Sequence, residues 1–133
     1  MSERGRKYQS DILAILRRGS APQSAYDVLG ELRQSHPKLA PPTIYRALAS
    51  LMERGLVHRL ESLNAFVACQ CGEHQHSSIL SICEDCGKVE ESVVPDLLSV
   101  LTNCVSASGF RPRRHVIELH GVCASCGDVR VPA

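Results

Sequence analysis

This sequence predicts an α+β chain made of two unlike halves, and three observations carry that reading. The 133 residues suit one compact domain or two small ones, not a large multi-domain enzyme. The first 55 residues read as three short helices, and most of the remaining chain reads as short strands. All seven Cys lie beyond residue 60, at positions 69, 71, 83, 86, 104, 123 and 126.

Each element has a local cause. Residues 7–18 place Ile12, Leu13, Ile15 and Leu16 near helical spacing, and Gly19 and Pro22 end the segment. Ser24 is a good N-cap for a second helix, with Asp27 three residues on as a capping-box partner. Ala25, Val28, Leu29 and Leu32 form its apolar stripe, and His36-Pro37 stops it. Pro41-Pro42-Thr43 opens a third helix, and Ile44, Leu48, Leu51 and Met52 give it a buried face. Gly55 closes it in a C′ role. Residues 56–61 and 65–70 then read as a hairpin joined by Ser62-Leu63-Asn64.

Three helices and a hairpin in this order form a winged helix-turn-helix. The polar face of the third helix carries Thr43, Tyr45, Arg46, Ala49 and Ser50. A helix that enters a major groove needs a cation for guanine edges and hydroxyls for phosphates, although a solvated amphipathic helix has the same outline. Charge favours the DNA reading. The formal net charge of +1 splits into +5 over residues 1–60 and −4 over residues 61–133. A basic half suits a polyanion, and an acidic Cys/His-rich half suits cations.

In the second half, residues 78–92 read as two strands around a tight turn at Cys83-x-x-Cys86. Pro95 starts a helix with Leu97, Leu98, Leu101, Cys104 and Val105 on one face, and Gly109 ends it. Cys104 is expected as a small core residue of that stripe. Residues 114–123 alternate as a strand leading into Cys123-x-x-Cys126. The two pairs, each followed by Gly, can complete a tetrahedral four-sulfur shell for Zn²⁺. A redox dithiol is the alternative, and two matching pairs argue against it. A closed four-sulfur site stabilises rather than catalyses, so no enzyme is expected.

Cys69 and Cys71 stand where the halves meet, near His58, His74 and His76, with Glu90 and Glu91 after the first knuckle. Such a mixed set can bind a second metal whose ligands come from both halves, fixing their relative orientation. A Cys-rich hinge that happens to contain surface His is the bland alternative. No run of about 18 apolar residues suggests a membrane span. The first residues have no apolar segment behind their charges, so the chain reads as cytoplasmic with reduced thiols.

Residues 41–61, the SICEDCGKVEE knuckle and HVIELHGVCASCG together resemble the ferric uptake regulator family over nearly the full length. The zinc-responsive branch fits best. The iron branch typically has a His-His-Asp-His run before the first knuckle, where this chain has His74-Gln75-His76-Ser77. Cys69 also offers a soft thiolate, which suits Zn²⁺.

The resemblance implies a winged-helix DNA-binding domain over residues 1–68, a hinge at 69–77 and an α/β dimerisation domain over 78–133. It implies a homodimer that binds a double-stranded operator and represses zinc-uptake genes, with no small-molecule substrate. It also implies two Zn²⁺ per protomer. One is structural, on Cys83, Cys86, Cys123 and Cys126. The other is regulatory, on His58, Cys69, His76 and Glu91. Tyr45 and Arg46 match recognition-helix residues, and Tyr26 matches a base-contacting tyrosine of the second helix. The segment from Cys69 to His76 is one residue shorter than in some relatives, so Cys71 or His74 is a possible replacement ligand. His74, His115 and His120 are left over for a third site, or His115 and His120 are strand residues hydrogen-bonded in the sheet. An iron- or peroxide-responsive regulator of the same family and a zinc-ribbon interaction module are the competing readings.

Overall fold

A computed structural model describes residues 3–19, 21–70, 78–112 and 115–127. Three helices come first: α1 (Glu3–Arg18), α2 (Ala25–Leu32) and α3 (Pro41–Glu53). Helix α1 starts four residues earlier than the apolar pattern predicts. Glu3 in its first turn and Arg17 and Arg18 in its last complement the helix dipole and extend it. The expected capping box at α2 is present: the Ser24 hydroxyl accepts from the Asp27 N–H at 3.1 Å, and the Asp27 carboxylate accepts from the Ser24 N–H at 3.0 Å. Helix α3 starts on Pro41-Pro42 and ends at Gly55, where φ is 73°. There the Leu56 N–H reaches the Leu51 carbonyl and the Gly55 N–H the Met52 carbonyl, the two bonds of a Schellman motif.

Strands β1 (Val57–Leu60) and β2 (Ala65–Ala68) form the wing, with Val57 opposite Ala68 and Leu60 opposite Ala65. The turn takes four residues rather than the expected three, and Asn64 closes it at φ 49°. Gln23 exchanges two backbone bonds with Phe66, at 3.1 and 2.8 Å, and ties the α1–α2 loop to the wing.

The second half holds β3 (Ser78–Cys83), β4 (Val89–Val93), α4 (Leu97–Val105) with a 3-10 turn at Ser106–Ser108, and β5 (Glu118–Gly121). Its sheet order is β4-β3-β5, with β3 antiparallel to β4 and parallel to β5. The predicted last strand is much shorter than its alternating pattern.

The hairpin is buried on both sides, and strand alternation explains how. Val57 and Phe66 turn one way, into the core of the three helices with Ile12, Val28, Ile44, Leu48 and Leu51. Leu60 and Val67 turn the other way and form a second cluster with Leu80, Ile82 and Val89 of the second sheet. The wing is therefore the seam that joins the halves. One expectation fails. Cys104 is exposed and no residue of α4 is fully buried, because the described residues cover that helix only in part, at Leu97, Leu101 and Thr102.

Candidate metal centres and nucleic-acid interface

Two clusters of metal-ligating side chains occur among the described residues. The first joins Cys83, Cys86, Cys123 and Cys126, whose sulfurs all lie within 4.8 Å of one another. Parallel pairing of β3 with β5 places Cys83 opposite Gly121 and so brings the two knuckles together. Cys86 Sγ and Cys123 Sγ are 3.8 Å apart. A tetrahedron with zinc–sulfur bonds of about 2.3 Å has an edge of about 3.8 Å, so this donor set fits Zn²⁺. The N–H groups of Cys123 and Cys86 point at the Cys83 sulfur, at 3.3 and 3.4 Å, and lower its thiol to about 6. The sulfurs of Cys123 and Cys86 hold the proton of Cys126 and push that thiol up to about 12. Metal binding at this cluster would therefore find Cys83 the readiest to ionise and Cys126 the most reluctant to give up its proton.

The second cluster joins His58, Cys69 and Glu91. His58 faces Val67 across the hairpin, and Cys69 lies two residues beyond Val67. Strand parity therefore puts both on the face that carries Leu60 and Val67 toward the second sheet. Glu91 sits opposite Leu80 on the facing strand. Its side chain is 1% exposed. Its carboxylate oxygen is 2.9 Å from His58 Nε2 and 3.7 Å from Cys69 Sγ. Burial pushes the Glu91 carboxyl up. The Ser78 hydroxyl, the Gln70 N–H at 2.7 Å and the His58 ring outweigh that and hold it below the usual carboxylate value. An anionic oxygen, a thiol and an imidazole from two halves form a donor set suited to Zn²⁺. His76, expected as the fourth ligand, lies outside the described residues, as do the alternatives Cys71 and His74.

The remaining histidines do not assemble a third cluster among the described residues. His120 Nε2 lies 3.6 Å from the Glu118 carboxylate. Sequence reasoning missed three residues that complete the seam: Gln70, Ser78 and Glu118. Gln70 pairs with β4 through its amide as well as its N–H, reaching the Val89 carbonyl at 3.0 Å and accepting from the Glu91 N–H at 3.2 Å. An acid at an inward position of the alternating strand 114–123 was the available signal for Glu118.

The basic half presents its polar side chains outward. Tyr26, Tyr45 and Arg46 are exposed and Thr43 is half-buried. Arg46 and Thr43 line an open groove of about 1190 Å³ with Arg4, Lys7 and Lys38, where α1, the loop before α3 and the start of α3 meet. Four cations against Glu3 make this face attractive to phosphates.

The ferric uptake regulator family model matches residues 4–120. The chain belongs to that family. The zinc uptake regulation protein of Escherichia coli is 38% identical over 120 residues, which cover 90% of this chain and 70% of that protein. The peroxide operon regulator of Bacillus subtilis is 32% identical, over 86% of this chain and 78% of that protein. Among solved structures, a zinc uptake regulator complexed with zinc and DNA superposes with a TM-score of 0.83 at 37% identity, covering 89% of this chain and 79% of that one. The fold is thus the family's, an α+β chain with a four-cysteine cluster in its second half. No helix among the described residues is long and apolar enough to cross a membrane.

Proposed function

We propose that this family member is a zinc-responsive DNA-binding transcriptional repressor of zinc-uptake genes, active as a zinc-loaded homodimer on a palindromic operator in the cytoplasm. One observation carries the reading: His58 and Cys69 of the wing converge with Glu91 of the second sheet. A site shared by two halves is the physical requirement for a ligand that sets their orientation. The likeness to zinc uptake regulators supports zinc over iron, as does the thiolate of Cys69.

The reading assigns residues 1–68 to DNA binding, 69–77 to the hinge and 78–133 to dimerisation. Cys83, Cys86, Cys123 and Cys126 hold a structural Zn²⁺, and His58, Cys69, Glu91 and His76 hold the regulatory one. When bound, zinc supplies a coordination crosslink that needs deprotonated Cys and neutral His. His58 and Cys69 carry that link into β1 and the end of β2, and Val57 and Phe66 on the opposite face of the hairpin transmit it to the helices as a rigid body. Tyr26, Thr43, Tyr45 and Arg46 then face the operator, and a two-fold dimer presents them to two major-groove half-sites. A second copy covers Leu98, Val100 and Val105 of α4 and Leu119 of β5, which one chain leaves exposed.

Cys69→Ser tests the assignment. Metal content by mass spectrometry and operator binding are measured with Zn²⁺, Fe²⁺, Mn²⁺ and chelator. The expected variant is a folded dimer with one zinc per protomer and no zinc-dependent binding. Retained zinc response overturns the ligand assignment, and a wild type that answers to Fe²⁺ but not Zn²⁺ overturns the zinc reading.

A further inference from the structure

We infer that Glu118 is a second, metal-independent latch, a positioning residue that pins the tip of the wing to the sheet of the second half. This role rests on the proposed zinc-responsive function and extends it to a residue outside both thiol and histidine clusters.

The register of the second sheet places two acids symmetrically. Leu80 on the central strand pairs with Glu91 on one side and with Glu118 on the other. Directly opposed residues share a face, so both carboxylates flank Leu80 on the side that packs against Leu60 and Val67. They hold opposite ends of the hairpin. Glu91 takes the base, through His58, Cys69 and Gln70. Glu118 takes the tip. It accepts the Glu61 N–H at 2.8 Å, the Ser62 N–H at 3.4 Å and the Ser62 hydroxyl.

The Glu118 side chain is 10% exposed. A carboxylate that withdrawn from water is tolerated only when its oxygens are hydrogen-bonded, and the wing tip supplies three of those bonds. The partners stand 56 and 57 residues away in sequence, so the contact exists only while the wing is docked. None of these groups is a metal ligand. With the base of the wing released, the tip remains tethered, and the wing pivots about Glu61 and Ser62 instead of detaching. The closed arrangement then keeps a sizeable population in the zinc-free chain, and metal affinity scales with that population.

The test uses the full-length dimer with Glu118→Ala, Glu118→Gln and Ser62→Ala. In the protein stripped of its regulatory metal by a mild chelator, amide hydrogen exchange at Glu61 and Ser62 is expected to rise about tenfold in Glu118→Ala, the loss of charge-assisted bonds. Ser62→Ala removes one partner, leaves the carboxylate in place and is expected to shift the same amides a few-fold. Glu118→Gln keeps an acceptor oxygen and falls between. Zinc titration is expected to show the second zinc of Glu118→Ala bound about tenfold more weakly, with the four-thiol zinc unchanged. Unchanged exchange at Glu61 and Ser62 in both Glu118→Ala and Ser62→Ala overturns the latch. Faster exchange with unaltered affinity for the second zinc overturns its coupling to the metal. If wild type and Cys69→Ser bind the same amount of zinc, the functional reading fails instead, and the exchange measurement still decides the latch. Should Glu118→Ala fail to fold, Ser62→Ala and Glu118→Gln carry the same comparison.

Discussion

The two halves of the chain solve the same burial problem in opposite ways. The first closes a core of its own, with Ile12, Val28, Ile44, Leu48, Leu51 and Val57 almost wholly removed from water. The second has a three-stranded sheet and a helix α4 without one buried residue, and it leaves Leu98, Val100, Val105, Leu119 and Val122 exposed. A half of that size cannot stabilise itself on apolar burial alone. It relies on what lies outside its own apolar contacts: a four-thiol cluster, the wing of the first half and, on the proposed reading, a second copy.

That contrast can be broken from the thiol side first, where the largest effect is expected. Cys83→Ser removes the sulfur that receives both knuckle amides. Structural zinc contributes on the order of 10 kcal/mol to folding in small domains. Protease mapping and backbone NMR should show the second half unfolded and the dimer lost while the three helices persist. A stable dimer would sink the four-sulfur assignment.

The mirror experiment is smaller. Leu48→Ala, at a site 1% exposed, should cost about 2–5 kcal/mol of stability. Its denaturant midpoint should fall while zinc content stays at the wild-type value. Parallel loss of metal would mean that the halves unfold as one unit, with no separate source of stability in the second.

Arg46→Ala leaves both halves intact and should cost about 1–3 kcal/mol of operator affinity. If the loss falls on one base-pair position, Arg46 reads a base, and if it is equal on all sequences, Arg46 contacts a phosphate. Melting temperature should not move in either case.

The mildest perturbation is acid. Burial pushes the Glu118 carboxyl up, but the Ser62 hydroxyl, the Ser62 and Glu61 amides and His120 outweigh it and lower its value, as happens at Glu91. Groups lowered on folding contribute their full stability above the ordinary carboxylate value of about 4.3 and lose it as pH falls through their folded values. The wing should therefore part from the second sheet below about pH 4, before the helical core melts. Chemical shifts of Leu60 and Val67 against those of Leu48 would report the order, and simultaneous loss would contradict it.

Much of this was legible in the sequence. Helix starts and stops follow from Ser24, Pro41 and Gly55, because caps and prolines act on their own few residues. The matched Cys pairs announce a four-sulfur cluster because two-residue spacing is itself the chemistry. Cys104 misled because an apolar stripe shows that a face wants covering, not what covers it. The missed residues Gln70, Ser78 and Glu118 were invisible for another reason. Each acts through a partner at least 13 positions away, which no local pattern encodes.

By itself the sequence determined most of the elements, the split of charge and the two Cys-x-x-Cys turns, since these depend on neighbours within a turn or two. Only the tertiary structure decided that β1 and β2 are buried on both faces, with His58 and Cys69 on the face turned toward Glu91. Strand parity states which residues share a face, and packing alone chooses what that face meets. The same packing set Glu91 and Glu118 on either side of Leu80, holding the two ends of one hairpin.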